Sequence, residues 1–476
     1  MSRGLLIKVC FNVFTLKQEK SHTLTELKNE FEKLSGQMSP DVFGYSLLVL
    51  DYLELLAFDK IKATSRNSNM APSQDLFKIK KPKGNGKKKV GGQVGHKGTT
   101  LLMTDSPDVI LKHPAENCER CGIDLCHVLV EKTSKHQVVD IRLKKVITEH
   151  QVDHKTCDCG HHQCHGSAGA PIQYGASIKA TAVELNQIQC VPYKRCAEFF
   201  QQKFDLSISP ATLVAFTKEA SARLLVWEQI AKAELLSALL IHADESGVNI
   251  DGKNWWVHIL SSEKVTLMIP HLKRGREAMV EADVLEFFHG ILSHDFWSSY
   301  GGFDVLHAIC HAHLQREFEK IYKDYGQKWA DKLAKLMLRA NKERDEAEGC
   351  LSIAQMKYFE KEYSRLVKVG LKNNPENKKR ININGKIGQS YPRQVLNRLV
   401  EYRDWVLLFL YDPNVPFTNN QAEREIRMLK VQQKVSGYFK TLQGAQDYCR
   451  IRSYVLTMGK NGFSKHEALT MLFKGT

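Results

Sequence analysis

The amino-acid sequence predicts a mixed α/β fold, and the order of its apolar runs between residues 239 and 313 carries that prediction. The β-rich runs are at 239–248, 254–260, 264–269, 290–295 and 306–310. A helical pattern at 277–288 separates the third run from the fourth. The predicted order is strand, strand, strand, helix, strand, helix, strand, which is typical of a mixed α/β sheet.

Acidic residues stand at the predicted ends of two of these strands. The first run ends in Asp244 and Glu245 before the turn-prone pair Ser246–Gly247, and the fourth ends in Asp295. Side chains alternate along a strand, so Asp244 and Glu245 point in opposite directions and one of them can join a given cluster. Acids on adjacent strands, about 5 Å apart, can share divalent cations. The alternative for a single strand-end Asp is a turn or capping role.

A third candidate acid, Glu423, lies in the segment 417–430, where apolar residues recur at helical spacing. We expect Asn420 to cap this helix. On local grounds Glu423 has a structural alternative, because Asn420 and Glu423 resemble a capping box and Glu423 and Arg427 are spaced as an ion pair.

The charge balance indicates a polyanionic partner, with nucleic acid as the leading candidate. The 476 residues include 68 Lys and Arg against 53 Asp and Glu, a formal net charge of +15. Much of the positive charge lies in a polar stretch at 62–97, which we predict to be a flexible arm for phosphate contacts. The lysines of this DNA-binding arm are Lys80, Lys81, Lys83, Lys87, Lys88 and Lys89. The alternative is a solubilising linker.

Two cysteine pairs, each followed by glycine, predict a structural zinc site. About 35 residues with a strand-like run at 137–141 separate the pairs. The four expected ligands are Cys118, Cys121, Cys157 and Cys159. The second pair is closer in sequence than Cys-x-x-Cys, so one ligand has the alternatives Cys164, His161 and His162. Thiols without metal are the other interpretation.

The remaining segments are predicted to be mostly helical. Two amphipathic patterns at 23–34 and 46–58 predict amino-terminal helices, and a helix-turn-helix-like unit is expected around 192–209, with Ser209 capping the helix that begins at Pro210. Generic helical packing is the alternative to DNA reading by that unit. No apolar run is long enough for a transmembrane helix, so no membrane partner is expected.

The whole pattern resembles transposases of the insertion-sequence-66 family from about Thr64 onward. Beyond the cysteine pairs, the matching motifs are Gly91–Gly98, His242–Gly247, Gly252–Trp256, Arg274–Gly275, His294–Asp295, Tyr300, Cys310–His313, Arg316–Glu317, Thr418–Arg424 and Lys434–Phe439.

The resemblance implies a ribonuclease-H-like DDE catalytic core that cleaves element ends and joins them to target DNA. It implies that Asp244, Asp295 and Glu423 bind two Mg²⁺ or Mn²⁺ ions and that the cysteine segment binds structural Zn²⁺. Possible phosphate contacts are His311, His313, Arg316, Arg427 and Lys430. For the histidines, the alternative is a buried, hydrogen-bonded role.

The implied partners are the element ends, the target DNA, further copies of the chain on DNA and accessory proteins of the same element, in a bacterial cytoplasm at the nucleoid. The alternatives are a silent transposase-derived DNA-binding protein and a metal-dependent nuclease on the same fold.

The predicted domain organisation has eight segments, in which a helical insertion divides the catalytic core. They are a helical amino-terminal region (1–61), a basic linker (62–105), a zinc-binding domain (106–170), a helical DNA-binding region (171–236), the first segment of the catalytic core (237–318), the helical insertion (319–416), the second segment of the catalytic core (417–440) and a carboxy-terminal helical segment (441–476).

Overall fold

The structure is a computed structural model that describes residues 101–164, 171–377 and 388–475. The helices predicted at 23–34 and 46–58 lie outside the described residues, as does the basic arm with its six lysines. These features stay predictions.

A mixed five-stranded sheet with the order β5-β4-β3-β6-β7 forms the centre of the described structure. Its strands are β3 (Leu240–Ile250), β4 (Lys253–Ser261), β5 (Thr266–His271), β6 (Ile291–His294) and β7 (Leu306–Ile309). The β3–β4 and β4–β5 pairs are antiparallel, whereas the β3–β6 and β6–β7 pairs are parallel. The mixed α/β fold predicted from the sequence is therefore confirmed.

The first strand of the sheet is longer than predicted. The prediction of a turn at Ser246–Gly247, ending the strand after the acids, is wrong, because both residues pair with β4 inside the sheet. The turn is formed by Asp251 and Gly252, which have φ angles of 50° and 73°. A tight hairpin favours two residues with positive φ, and an Asp-Gly pair adopts that conformation readily.

The connections around β6 also differ from the prediction. The helix expected at 277–288 is shorter, since α5 runs only from Arg276 to Glu281 and Asp283 adopts a positive φ of 54°. A 3₁₀ turn at Tyr300–Gly302 replaces the helix predicted between β6 and β7.

Before the sheet, four helices and one π-helical turn form a bundle. They are α1 (Ala176–Val183), the π-turn (Glu184–Ile188), α2 (Tyr193–Phe204), α3 (Pro210–Arg223) and α4 (Leu225–Leu236). The helix-turn-helix-like pair α2 and α3 forms as predicted, with the Ser209 side chain accepting a hydrogen bond from the Thr212 backbone N–H at 3.1 Å.

The carboxy-terminal helices share a core with this bundle. They are α12 (Leu442–Lys460) and α13 (Lys465–Lys474). Ile451 and Val455 of α12 and Leu469 of α13 are buried against α1 to α3. The bundle therefore combines helices that precede the sheet in sequence with helices that follow it.

The insertion after β7 is helical, as predicted. It contains α6 (His311–Tyr325), α7 (Lys328–Glu346), α8 (Ile353–Asn373), α9 (Tyr391–Glu401) and α10 (Arg403–Leu407), followed by a 3₁₀ turn (Leu408–Leu410). The predicted apolar stripe of α7 is buried and consists of Leu333, Leu336, Met337 and Ala340. Its core continues onto Ile309 of β7, so the insertion packs directly against the edge of the sheet.

One further helix, α11 (Asn420–Ser436), lies on the sheet and carries the third candidate acid. Ala422, Ile426 and Leu429, the predicted buried stripe, pack in one core with Val248 and Ile259 of β3 and β4.

Two short antiparallel strands, β1 (His154–Thr156) and β2 (His162–Cys164), are the strands found in the described segment 101–164. The prediction of a strand at 137–141 is wrong, because these residues form no strand and pair with none in the described part of the chain, and Val138 and Val139 are mostly exposed. Among the described residues, no helix has the length and apolar character required to cross a membrane.

Candidate active site

The parallel pairing of β3 and β6 brings Asp244 and Asp295 to the same level of the sheet. His242 of β3 is paired with Ser293 of β6. Asp244 lies two residues after His242, and Asp295 lies two residues after Ser293. Asp244 accepts a hydrogen bond from the Glu245 backbone N–H at 2.8 Å.

Glu423 lies in the first turn of α11, the helix that packs on β3. Its Oε1 atom lies 3.6 Å from Cys310 Sγ and 3.6 Å from His313 Nδ1. The capping box expected from the sequence does not form: Asn419, not Asn420, is the N-cap residue, and its side chain makes no capping bond. Glu423 therefore does not take part in the predicted capping box, and its carboxylate faces the end of β7.

Burial and neighbouring negative charge both act on the Asp244 carboxyl. Burial raises the pKa of Asp244 to about 7, and the charges of Glu245, Asp295 and Glu423 act in the same direction. The Glu245 backbone N–H opposes them. Crowded carboxylates of this kind are stabilised by a divalent cation, and carboxylate oxygens are the ligands that Mg²⁺ prefers.

The Glu245 side chain lies on the other face of β3 and is held there by an ion pair, although its charge still acts on Asp244. Its Oε1 accepts from Arg274 at 2.6 Å and 2.9 Å, and its Oε2 accepts from the Tyr300 hydroxyl at 2.8 Å. The guanidinium lies over the rings of Trp256 and Trp297. The opposite orientations expected from strand alternation are thus observed, and Glu245 is occupied by an ion pair.

Two buried histidines stabilise the end of β6, next to Asp295. His294 Nε2 and His307 Nδ1 are 2.9 Å apart, and His307 is stacked on Trp405 at a centroid distance of 4.0 Å. Burial, followed by the neighbouring His307, lowers the pKa of His294 to about 3. These aromatic rings fix the backbone that presents Asp295.

Sequence reasoning missed Asn419, which joins three elements at the site. Its Nδ2 donates to Ala243 O at 2.7 Å, its Oδ1 accepts from His242 Nδ1 at 2.8 Å, and its backbone N–H donates to Cys310 Sγ at 3.2 Å. The amide Nδ2 has a carbonyl partner, so Oδ1 is the acceptor and His242 carries its proton on Nδ1. The doublet Asn419–Asn420 at the start of α11 was the available signal, but it does not indicate the distant partners.

Two further contacts hold α11 in register on the sheet. The Glu425 carboxylate accepts from Ser261 at 2.8 Å and pairs with Lys460 at 3.0 Å. Beyond the helix, Phe439 exchanges backbone hydrogen bonds with Asn249 and Asp251 of the β3–β4 hairpin. The position of Glu423 is therefore set at both ends of its helix.

Replacing Asn419 tests this arrangement. Asn419→Ala leaves buried hydrogen-bonding groups of His242 and Ala243 without partners, so we expect a loss of about 2–4 kcal/mol in the free energy of unfolding. Exposed Asn420 provides the matched control, and Asn420→Ala should change stability by less than about 0.5 kcal/mol. Urea titrations followed by tryptophan fluorescence measure both, and equal stabilities of the two variants would contradict the bridging role.

The predicted phosphate contacts fall into different environments. His311 is 1% exposed and stacked on Phe417 at 4.3 Å, which removes it from the surface and from the phosphate contacts. Lys430 Nζ donates to the carbonyl oxygen of Gly247 and so holds β3. Arg316 and Arg427 are exposed, and His313 is partly exposed.

Each predicted zinc pair lies in a tight glycine turn. Gly122 and Gly160 have φ angles of 74° and 82°, and their backbone N–H groups donate to the carbonyls of Cys118 and Cys157 at 2.8 and 2.7 Å. Among the described residues, a group of three or more ligand atoms within 4.8 Å of one another occurs at Cys310, His313 and Glu423, not at these pairs. The four-cysteine zinc site stays a prediction.

The family comparison identifies the class of protein that this sheet and site belong to. The sequence model of the transposase IS66 family matches residues 171–447. The chain belongs to the IS66 family of transposases. Comparison with curated proteins found no match.

The matched region contains the complete five-stranded sheet, the helical insertion and α11, and thus all three candidate acids. Membership of the IS66 family indicates a DNA-binding, DNA-processing protein of the transposase type, and it suggests use of divalent metal ions. The cysteine segment lies before the matched residues.

Proposed function

We propose that this IS66-family protein is a metal-dependent DNA strand transferase with Asp244, Asp295 and Glu423 as its catalytic triad. The observation that carries the proposal is the parallel pairing of β3 with β6, which brings Asp244 and Asp295 to one level of the sheet, with Glu423 on the helix α11 that packs on β3 and β4. These acids come from two neighbouring strands and a packed helix, and Glu423 is more than a hundred residues from the other two in sequence.

The triad residues fit a pair of Mg²⁺ or Mn²⁺ ions. All three offer carboxylate oxygens, and a bound cation would offset the burial that raises the pKa of Asp244 to about 7. When bound, such a pair polarises a phosphodiester and lowers the pKa of a water molecule. The five-stranded sheet would then be the ribonuclease-H-like core implied by the sequence resemblance.

Two phosphoryl transfers follow in this proposal. Water attacks the phosphodiester at an element end, so that one P–O bond forms, one breaks and a 3′-hydroxyl is freed. That hydroxyl then attacks a phosphodiester of the target in line, with the same balance of bonds. Asp244 and Asp295 are held rigidly by the sheet, and Glu423 is held by the anchored helix α11. Such fixed charge contributes to catalysis because it needs no reorganisation during the reaction.

Basic residues outside the triad would serve DNA handling and assembly. Exposed Arg316 and Arg427, together with His313, are placed to contact phosphates, and the basic arm at 80–89 would add non-specific affinity. The partners are the element ends and target DNA, with further copies of the chain and accessory proteins, in the bacterial cytoplasm at the nucleoid. The cysteine pairs would hold structural Zn²⁺.

An assay with duplexes that carry the element ends tests this function. With Mg²⁺ and a supercoiled target we expect both cleaved ends and joined products, whereas a pre-cleaved end should join without the first step. Cleavage without joining would indicate a nuclease, and end binding without cleavage would indicate a silent DNA-binding protein. Control reactions contain EDTA or a duplex of scrambled end sequence.

A further inference from the structure

Besides the proposed triad, Glu423 belongs to a second group of residues that can bind a metal ion. We propose that Cys310, His313 and Glu423 form a separate site for a thiophilic divalent cation, Zn²⁺, which removes Glu423 from the Mg²⁺ pair and switches off DNA cleavage. The inhibitory part of this inference rests on the proposed function, whereas the binding part does not.

The spacing of the three ligand atoms matches a tetrahedral zinc ion. The Cys310 sulfur and the His313 Nδ1 each lie 3.6 Å from Glu423 Oε1, and all three atoms lie within 4.8 Å of one another. Zinc bonds of about 2.0 Å to oxygen or nitrogen and about 2.3 Å to sulfur, at tetrahedral angles, separate ligand atoms by roughly 3.3–3.5 Å. Only small side-chain movements would therefore close the site around an ion.

The Cys310 thiol donates a hydrogen bond to Glu423 Oε1, but no hydrogen bond among the described residues accounts for the position of the His313 ring. His313 Nδ1 is buried and makes no hydrogen bond, although it faces the Glu423 carboxylate. The distance of 3.6 Å between these atoms is too long for one. A buried ring nitrogen without a partner costs free energy, and a bound cation would satisfy it.

Backbone N–H groups surround the sulfur of Cys310. Cys310 is the N-cap residue of α6, and the Asn419 backbone N–H donates to its sulfur at 3.2 Å. The backbone N–H groups of Ala312 and His313, at the start of α6, also interact with this sulfur. These donors remain available to stabilise a sulfur that has lost its proton to a metal ion.

Ligand chemistry separates this site from the Mg²⁺ site beside it. Thiolate and imidazole favour Zn²⁺ and related transition metals, whereas Mg²⁺ takes oxygen ligands and binds sulfur poorly. The three residues leave a fourth tetrahedral position open for water. The side chain of His313 is 37% exposed, so an ion can reach the site from solvent. Glu423 is common to both sites, and one carboxylate cannot fully serve both metals.

Zinc content measures the binding part of the inference without any DNA reaction. The full-length protein is saturated with Zn²⁺, freed of excess by gel filtration and analysed by mass spectrometry for zinc per chain. We expect Cys310→Ser and His313→Gln each to hold one zinc ion fewer than the wild type. Cys449→Ser is the matched control, because Cys449 is equally buried but lies in α12, and its zinc content should equal that of the wild type.

Replacement of zinc by Co²⁺ provides a second readout that reports sulfur ligation directly. Cys310→Ser should lose part of the sulfur-to-cobalt charge-transfer absorbance, and His313→Gln should alter the visible bands while the protein remains folded by circular dichroism. His313 is partly exposed, so its variant keeps the test valid if Cys310→Ser fails to fold. Wild-type zinc content and cobalt spectra in folded His313→Gln would overturn the site.

Inhibition of end cleavage at fixed Mg²⁺ tests the switch. The Zn²⁺ concentration for half inhibition should be at least about tenfold higher for His313→Gln, relative to its own zinc-free rate, than for the wild type or Cys449→Ser. Equal inhibition of His313→Gln and wild type would refute the switch. If the wild type cleaves no DNA, the proposed function fails, and the zinc measurements still decide whether the site exists.

Discussion

Asp244→Asn, Asp295→Asn and Glu423→Gln are each expected to abolish end cleavage and end joining while end binding is retained. Each change keeps the size of the side chain and removes the negative charge that would bind a divalent cation. Loss of one charged contact to the reacting groups typically lowers a rate by about 10³-fold. Gel assays of cleavage and joining measure the reaction, and fluorescence anisotropy with labelled end duplexes measures binding.

An exposed acid at the opposite end of β6 and β7 from Asp295 provides the control for the triad variants. Asp304 lies on the connection between β6 and β7 and is exposed, so Asp304→Asn should cleave and join at the wild-type rate. Rates restored by Mn²⁺ in a triad variant would support direct metal binding by that residue. Full strand transfer by any one triad variant would remove its residue from the proposed triad.

Local pattern predicted the features of the site that depend on neighbouring residues. The period-two alternation of β3 separates Asp244 from Glu245, and the structure places them on opposite faces, with Glu245 held by Arg274 and Tyr300. The buried stripe of α11 was also visible in the sequence, because helical spacing alone defines it.

Local pattern failed where a distant segment decides the structure. Ser246–Gly247 is turn-prone in isolation, but pairing with Val257 and Trp256 across β4 keeps both residues in the strand. The run at 137–141 has strand-forming residues, but it pairs with no strand among the described residues. Strand propensity is realised only where another strand supplies hydrogen bonds, and sequence spacing does not identify that strand.

The surroundings of Glu423 are also decided by distant residues and not by its neighbours in sequence. Its neighbours in sequence suggested a helix cap and an ion pair, whereas in the structure Asn419 turns its side chain to β3 and leaves Glu423 facing Cys310 and His313. Asn419 and Ala243 are 176 residues apart, so no local pattern could join them. Only the family resemblance pointed to Glu423 before the fold was known.

The pH dependence of stability should report the burial of Asp244 in metal-free protein. The pKa of Asp244 is about 7 in the folded chain against an ordinary value of 3.8. Between these pH values the folded state holds a proton that the unfolded state has released, so this residue makes the free energy of unfolding fall as pH rises. Above about pH 7 the penalty is complete and amounts to about 4 kcal/mol.

Asp244→Asn should therefore stabilise the metal-free protein at about pH 8, by up to about 4 kcal/mol, and much less at about pH 5. Urea titrations in EDTA measure this difference, and Asp304→Asn should match the wild type at both pH values. Saturating Mg²⁺ should stabilise the wild type at about pH 8 far more than the Asp244→Asn variant, because the cation neutralises the carboxylate that burial disfavours. If Asp244→Asn raises the free energy of unfolding equally at both pH values, the Asp244 charge is not the source of the destabilisation.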